Sequence, residues 1–184
     1  MENVYVVVIA VVAVLGTIFW YISTMNRFAR LAVKVTESDS GIDVALTKRF
    51  DTLSKTLDVC KAYAKHETEL LMNLVKLRKG HMSLDEKNEA NRCMDEVSGK
   101  ISIMAEAYPE LKSSENFKQL KLAIADAEEH LQAARRIYNM NVSQFNQLLV
   151  TWPSSIVGRQ KGHTSKEFFQ AEERKKSDVK MDFS

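Results

Sequence analysis

Residues 113–153 read SSENFKQLKLAIADAEEHLQAARRIYNMNVSQFNQLLVTWP, and this stretch decides the fold. Phe117, Leu120, Ile124, Ala127, Leu131, Ala134, Tyr138, Asn141, Phe145, Leu148 and Trp152 follow one another at alternating spacings of three and four. That alternation lays one apolar stripe along an α-helix. Pro153 ends the run, because proline restricts the residue before it and has no N–H to give to the preceding turn. A helix of this length, near 60 Å at about 1.5 Å per residue, cannot bury its stripe alone. It needs partner helices, and the sequence on its N-terminal side supplies them.

A second pattern opens at Ser83-Leu84-Asp85-Glu86, a capping box, and carries Met94, Val97, Ile101, Met104 and Tyr108 before Pro109 stops it. A third runs from about Ile42 to Lys79. Ser40-Gly41-Ile42-Asp43 reads as its capped start and Gly80 as its C-terminal glycine. Its stripe is Leu46, Phe50, Leu53, Leu57, Cys60, Ala64, Glu67, Leu71 and Leu74, with one polar member. Phe28, Leu31 and Val35 form a shorter stripe ahead of Gly41. The short breaks at Gly80 and Pro109 predict antiparallel neighbours. The expected fold is all-α: a single N-terminal transmembrane helix followed by an antiparallel up-and-down bundle of four helices. Six Gly and two Pro in 184 residues are too few for the turns of a β-sandwich or a loop-rich enzyme.

Val4 to Ile22 is uncharged, and 19 residues of helix just cross a hydrocarbon core of about 30 Å. Tyr5 at one end and Trp20 with Tyr21 at the other suit the headgroup level. A cleaved signal peptide is the competing reading. The start, Met1-Glu2-Asn3, has no positive region, the apolar run exceeds the usual length, and no small-residue cleavage site follows. Residues 4–22 are therefore expected to lie in a lipid bilayer. Arg27, Arg30 and Lys34 follow the span, which by the positive-inside tendency puts the bundle in the cytoplasm of a single-pass membrane protein. The predicted division is an anchor over 1–25, a helical bundle over 26–157 and a charged tail over 158–184.

All 26 cationic residues, and all but one of the 24 acidic ones, lie from Arg27 onward. So even a balance argues against a nucleic-acid partner. Cys60 and Cys93 sit inside helical patterns, offset too far along a hairpin turning at Gly80 for a disulfide, and read as core residues.

The search for chemistry finds no reactive constellation. A di-iron bundle needs Glu-x-x-His pairs, and Tyr63, Arg78, Ala127 and Gln160 stand three residues before the four histidines. His66-Glu67 lacks the second histidine of a zincin, and Gly99-Lys100 lacks the rest of a phosphate-binding loop. No catalytic residue, metal or cofactor is assigned. What remains is a polar line beside the stripe of the last long helix: Glu128, Arg135, Asn139 and Asn146, joined by Tyr138. It reads either as a network that fixes helix register or as a recognition strip for a partner helix or the tail. Ser154 to Ser165 reads as loop, and Lys166 to Lys176 as a short helix. Phe168, Phe169, Val179 and Phe183 are apolar islands in a tail with seven basic and five acidic residues from Arg159 onward, and are expected to dock on the bundle or on a partner.

Several of these residues carry a resemblance. Ala134-Arg135-Arg136-Ile137-Tyr138-Asn139 with Asn146 seven residues on, Trp152-Pro153-Ser154, Phe168-Phe169 and a closing Val179 and Phe183 resemble the LemA family. Ile42-Asp43-Val44, Leu46, Arg49, Tyr63, His66-Glu67 and Tyr108-Pro109-Glu110-Leu111-Lys112 extend the likeness over nearly the whole chain. Leu53-Ser54-Lys55 stands where the family often has an Ile-Pro-Asn kink, so a straighter helix is expected here. Glu128-Glu129 replaces the family's Glu-Asn pair. The resemblance implies a bacterial membrane-anchored helical bundle, in some members linked to membrane organisation.

Function is then expected to be that of a non-catalytic scaffold or protein-interaction module. Its partner would be an unidentified membrane or cytoplasmic protein, or a second copy of itself. The alternative is an enzyme, or a regulatory subunit of a membrane enzyme, with an unrecognised carboxylate or metal site around Glu67 and Glu128. A lesser reading has Arg174-Lys175-Lys176 grip anionic lipid.

Overall fold

The computed structural model describes residues 1–61 and 82–169, and every regular element among them is a helix. In chain order these are α1 (Glu2–Lys61), α2 (Leu84–Ala107), α3 (Pro109–Ser113), α4 (Glu115–Val150) and α5 (Ser154–Gln160). They belong to two compact units. One takes Met1–Ser38 and Tyr138–Phe168, the other Asp39–Ile137 and Phe169–Ser184.

The expected start at Ser40-Gly41 does not exist. α1 runs unbroken for 60 residues, about 90 Å at the usual rise. The reason is burial. Phe28, Leu31, Val35, Ser38, Ile42, Ala45 and Arg49 are all buried and keep the four-three alternation straight through the supposed cap. Gly41 sits on the exposed side of that helix, where a glycine costs roughly 1 kcal/mol and does not stop it.

In the first unit the stretch Val4–Phe19 is exposed along its whole length. α1 is the single helix among the described residues long and apolar enough to cross a membrane. The buried stripe begins at Thr24. α4 runs antiparallel to it: Phe28 meets Phe145 edge-on at 5.8 Å, and Asn141 Nδ2 donates to Lys34 O at 3.3 Å. Residues 154–160, expected as loop, form α5, because Val157 is fully buried and Gly158 lies against Phe28 and Leu149. A Cβ on Gly158 would stand 2.8 Å from Leu149 Cδ2 and 3.0 Å from Phe28 Cζ, so close approach is what this glycine permits. Trp152, the last expected stripe position, falls beyond the end of α4 and is 78% exposed.

In the second unit α2 starts where its sequence says. Ser83 Oγ accepts from the Glu86 N–H at 3.3 Å while Ser83 N–H donates to Glu86 Oε2 at 2.9 Å. Met94, Val97, Ile101 and Met104 are buried, whereas Tyr108 is 41% exposed and caps the helix end. They share the core with Leu46, Leu53, Leu57, Leu111, Phe117, Ala127 and Leu131. Each such large side chain contributes roughly 1.5–3 kcal/mol by leaving water. Asp39, Asp43 and Arg49 of α1 meet Lys87, Asn91 and Asp95 of α2 in rising order, so these two segments run parallel. The sequence predicts α2 antiparallel to a single helix over about 42–79; the described part of that stretch runs parallel to α2 instead, and residues 62–79, with Ala64, Glu67, Leu71 and Leu74, lie outside the described residues.

Candidate functional site

The polar line on α4 meets the chain that follows α5. α5 ends in a Schellman turn: Gly162 takes φ +68, its N–H donates to Arg159 O at 3.0 Å, and His163 N–H donates to Gly158 O at 3.0 Å. That turn delivers the His163 ring onto Phe28, stacked at 4.9 Å, and edge-on to Phe145 at 5.6 Å. From there the chain, in no regular element, passes along α4.

A segment outside helix and sheet leaves its own N–H and C=O groups without ladder partners, and side chains can supply them. Asn146 offers a donor and an acceptor on one amide. Its Nδ2 donates to Lys166 O at 2.8 Å and its Oδ1 accepts from Lys166 N–H at 2.8 Å. Two turns earlier along α4, Tyr138 Oη donates to Glu167 O at 3.1 Å while its ring is buried. Lys166 Nζ lies 6.0 Å from the centroid of the Phe145 ring. All of these contacts belong to the first unit.

In the second unit the Arg135 guanidinium lies over the Phe169 ring at 4.6 Å, a cation–π pair, and Phe169 is buried. Phe168 stays 47% exposed. Glu128 and Asn139 are half-buried on α4. Val179 and Phe183, and the basic run 174–176, lie outside the described residues.

Two buried cations in the second unit escaped the sequence reading. Lys87 is fully buried, with Nζ 2.6 Å from Asp39 Oδ1 and 2.9 Å from Asp43 Oδ1. Arg49, 2% exposed, donates to Asn91 Oδ1 at 2.5 Å and to Asp95 Oδ1. The signal was available for Arg49 alone, which falls on the stripe continued from Ile42 and Ala45. Lys87 had none beyond its place three residues before Ala90.

On α4 the strip holds the segment that follows α5 through Asn146 and Tyr138. Among the described residues no three His, Cys, Asp or Glu side chains converge to hold a metal ion. Both cysteines are free. Burial pushes the Cys60 thiol up to about 11, and burial, then Glu96 and Glu89, raise Cys93 as well. Neither is poised as a nucleophile.

The sequence pattern of the LemA family matches residues 38–183, which covers α2, α3, α4, α5 and the docked segment. The chain belongs to the LemA family. Protein LemA of Metamycoplasma hominis is 27% identical over 165 residues, spanning 88% of this chain and 75% of that protein. The LemA match therefore includes the α4 strip, the Schellman turn and the residues they hold. The likeness quoted from the sequence, from Ile42-Asp43-Val44 to Phe168-Phe169, falls within it.

Proposed function

We propose that this LemA family chain is a membrane-anchored, non-catalytic scaffold or protein-interaction module that takes part in membrane organisation. Residues 1–25 anchor it, residues 26–157 form the interacting bundle, and residues 158–184 are a tail that docks. The observation that carries the reading is α1, a single helix that passes from an exposed apolar segment into a buried stripe with no joint between them. Arg27, Arg30 and Lys34 beyond the span favour a cytoplasmic bundle. Exposed Ile103 and Leu122, at 67% and 72%, offer apolar points of contact on the bundle for a partner.

Alkaline extraction of native membranes and photo-crosslinking from positions 103 and 122 test this. The full chain is expected to stay in the membrane pellet and to give one discrete adduct. Recovery in the aqueous fraction overturns the anchor. A continuous ladder of adducts overturns the interaction role. A stoichiometric metal in the purified full-length protein would favour an enzyme instead.

A further inference from the structure

Where α4 turns into α5, three large apolar side chains face outward within seven residues. Val150 is 80% exposed, Trp152 78% and Ile156 56%. Single exposed apolar residues are ordinary on a protein surface, but a tryptophan flanked by two aliphatics at one corner is a contact surface in search of a cover. Their level in the first unit says what covers them. Phe145 pairs with Phe28 and Asn141 with Lys34, and α4 descends as α1 rises. Val150, five residues past Phe145 and nine past Asn141, thus stands at the level of about residues 23–25 of α1, less than ~5 Å above Ile22. Tyr21 Oη donates to Gln160 Oε1 at 3.1 Å, which ties α5 to the same level. That is the end of the apolar segment, the height at which Trp20 and Tyr21 suit the headgroups.

Charge agrees. Exposed Arg27, Arg30, Lys34, Arg159, Lys161 and Lys166 belong to this unit. No acidic residue occurs from Trp20 to Thr36 or from Val150 to Lys166. An apolar corner on a unit whose exposed charges near it in sequence are cationic suits an anionic leaflet.

We propose that Val150, Trp152 and Ile156 insert into the interfacial layer of the bilayer that α1 spans, a second and shallow membrane contact that prefers anionic lipid. This rests on the reading of α1 as an anchor.

The chain has two tryptophans, which separates the two claims. The full chain is reconstituted into phosphatidylcholine vesicles, with and without phosphatidylglycerol, carrying lipids brominated near the headgroup or deep in the acyl chain. Trp20→Phe leaves Trp152 as the reporter, and Trp152→Phe leaves Trp20. Trp152 emission is expected to shift to the blue and to be quenched most by the shallow bromine, more so with phosphatidylglycerol. Adding Ile156→Asp to the Trp20→Phe chain is expected to lower that quenching. Quenching of Trp20 with a water-exposed, unquenched Trp152 overturns the inference and leaves the anchor standing. Absence of quenching at both positions overturns the anchor reading together with it. A Trp152 shielded from acrylamide yet untouched by bromolipid means that a protein or a second copy covers the corner, and the inference falls.

Discussion

Asn146 holds the main chain of Lys166 at both of its polar groups, N–H and C=O, as a neighbouring strand would. One side chain on a helix thereby replaces two main-chain hydrogen bonds for a segment that has no sheet to join. Tyr138 does half as much for Glu167, at its carbonyl alone.

Asn146→Ala is expected to release this segment. Two partly exposed hydrogen bonds at roughly 0.5–1.5 kcal/mol each give a loss of about 1–3 kcal/mol. Amide hydrogen exchange at 163–168 should speed up, and cleavage after Lys166 should appear before global unfolding. Asn146→Asp keeps the acceptor for Lys166 N–H but sets a carboxylate oxygen against Lys166 O in place of the donor, so it should release the segment as well.

Lys87→Met removes a buried cation and leaves Asp39 and Asp43 facing each other one helical turn apart. A loss of about 2–4 kcal/mol is expected in urea unfolding, below the full cost of an isolated buried charge because both carboxylates reach water in part. Adding Asp39→Asn and Asp43→Asn should restore much of it, because the stranded charges go too.

Two glycines should respond in opposite directions to the same substitution. Gly41 has open space around it on a helix, so Gly41→Ala is expected to stabilise by up to about 1 kcal/mol. At Gly158 the new methyl meets Phe28, itself packed against Phe145 and His163, and a loss of roughly 1–3 kcal/mol is expected. Thermal unfolding of the two variants beside the parent chain decides both.

Cys93 is expected to react with a thiol reagent well before Cys60, which is 1% exposed. The Cys60 thiol ionises near 9 when unfolded and near 11 when folded. Between those values the unfolded chain releases a proton that the folded chain keeps, so its contribution to stability falls as pH rises from 9 to 11. Cys60→Ala should flatten that part of the stability profile, at the cost of a small cavity.

Local signals in the sequence specify their elements, and long-range ones do not. The α4 stripe, the Ser83–Glu86 box and the stop at Tyr108-Pro109 each depend on residues within a turn or two of one another. Ser40-Gly41-Ile42-Asp43 misled for the same reason. It resembles a cap locally, but burial of Ser38, Ile42 and Ala45 on one stripe outweighs it. The continuity was visible in the spacing from Val35 to Ser38 to Ile42. Gly158 reads in the sequence as a mark of loop, whereas its missing side chain makes room for Phe28. Asn146 and Tyr138 stood out as polar positions beside the stripe. Their partners are main-chain atoms of Lys166 and Glu167, which carry no side-chain signature.

The two buried cations have a consequence for how α2 finds its place beside α1. Apolar stripes repeat every seven residues, so grease alone would tolerate α2 displaced by one heptad, about 10 Å. Any such misalignment strands the ammonium of Lys87 and the guanidinium of Arg49 in oil, away from Asp39, Asp43 and Asp95. Two ionic pegs are thus expected to disfavour the shifted alignments that a repetitive surface would tolerate, so that charge as well as shape selects how α2 pairs with α1.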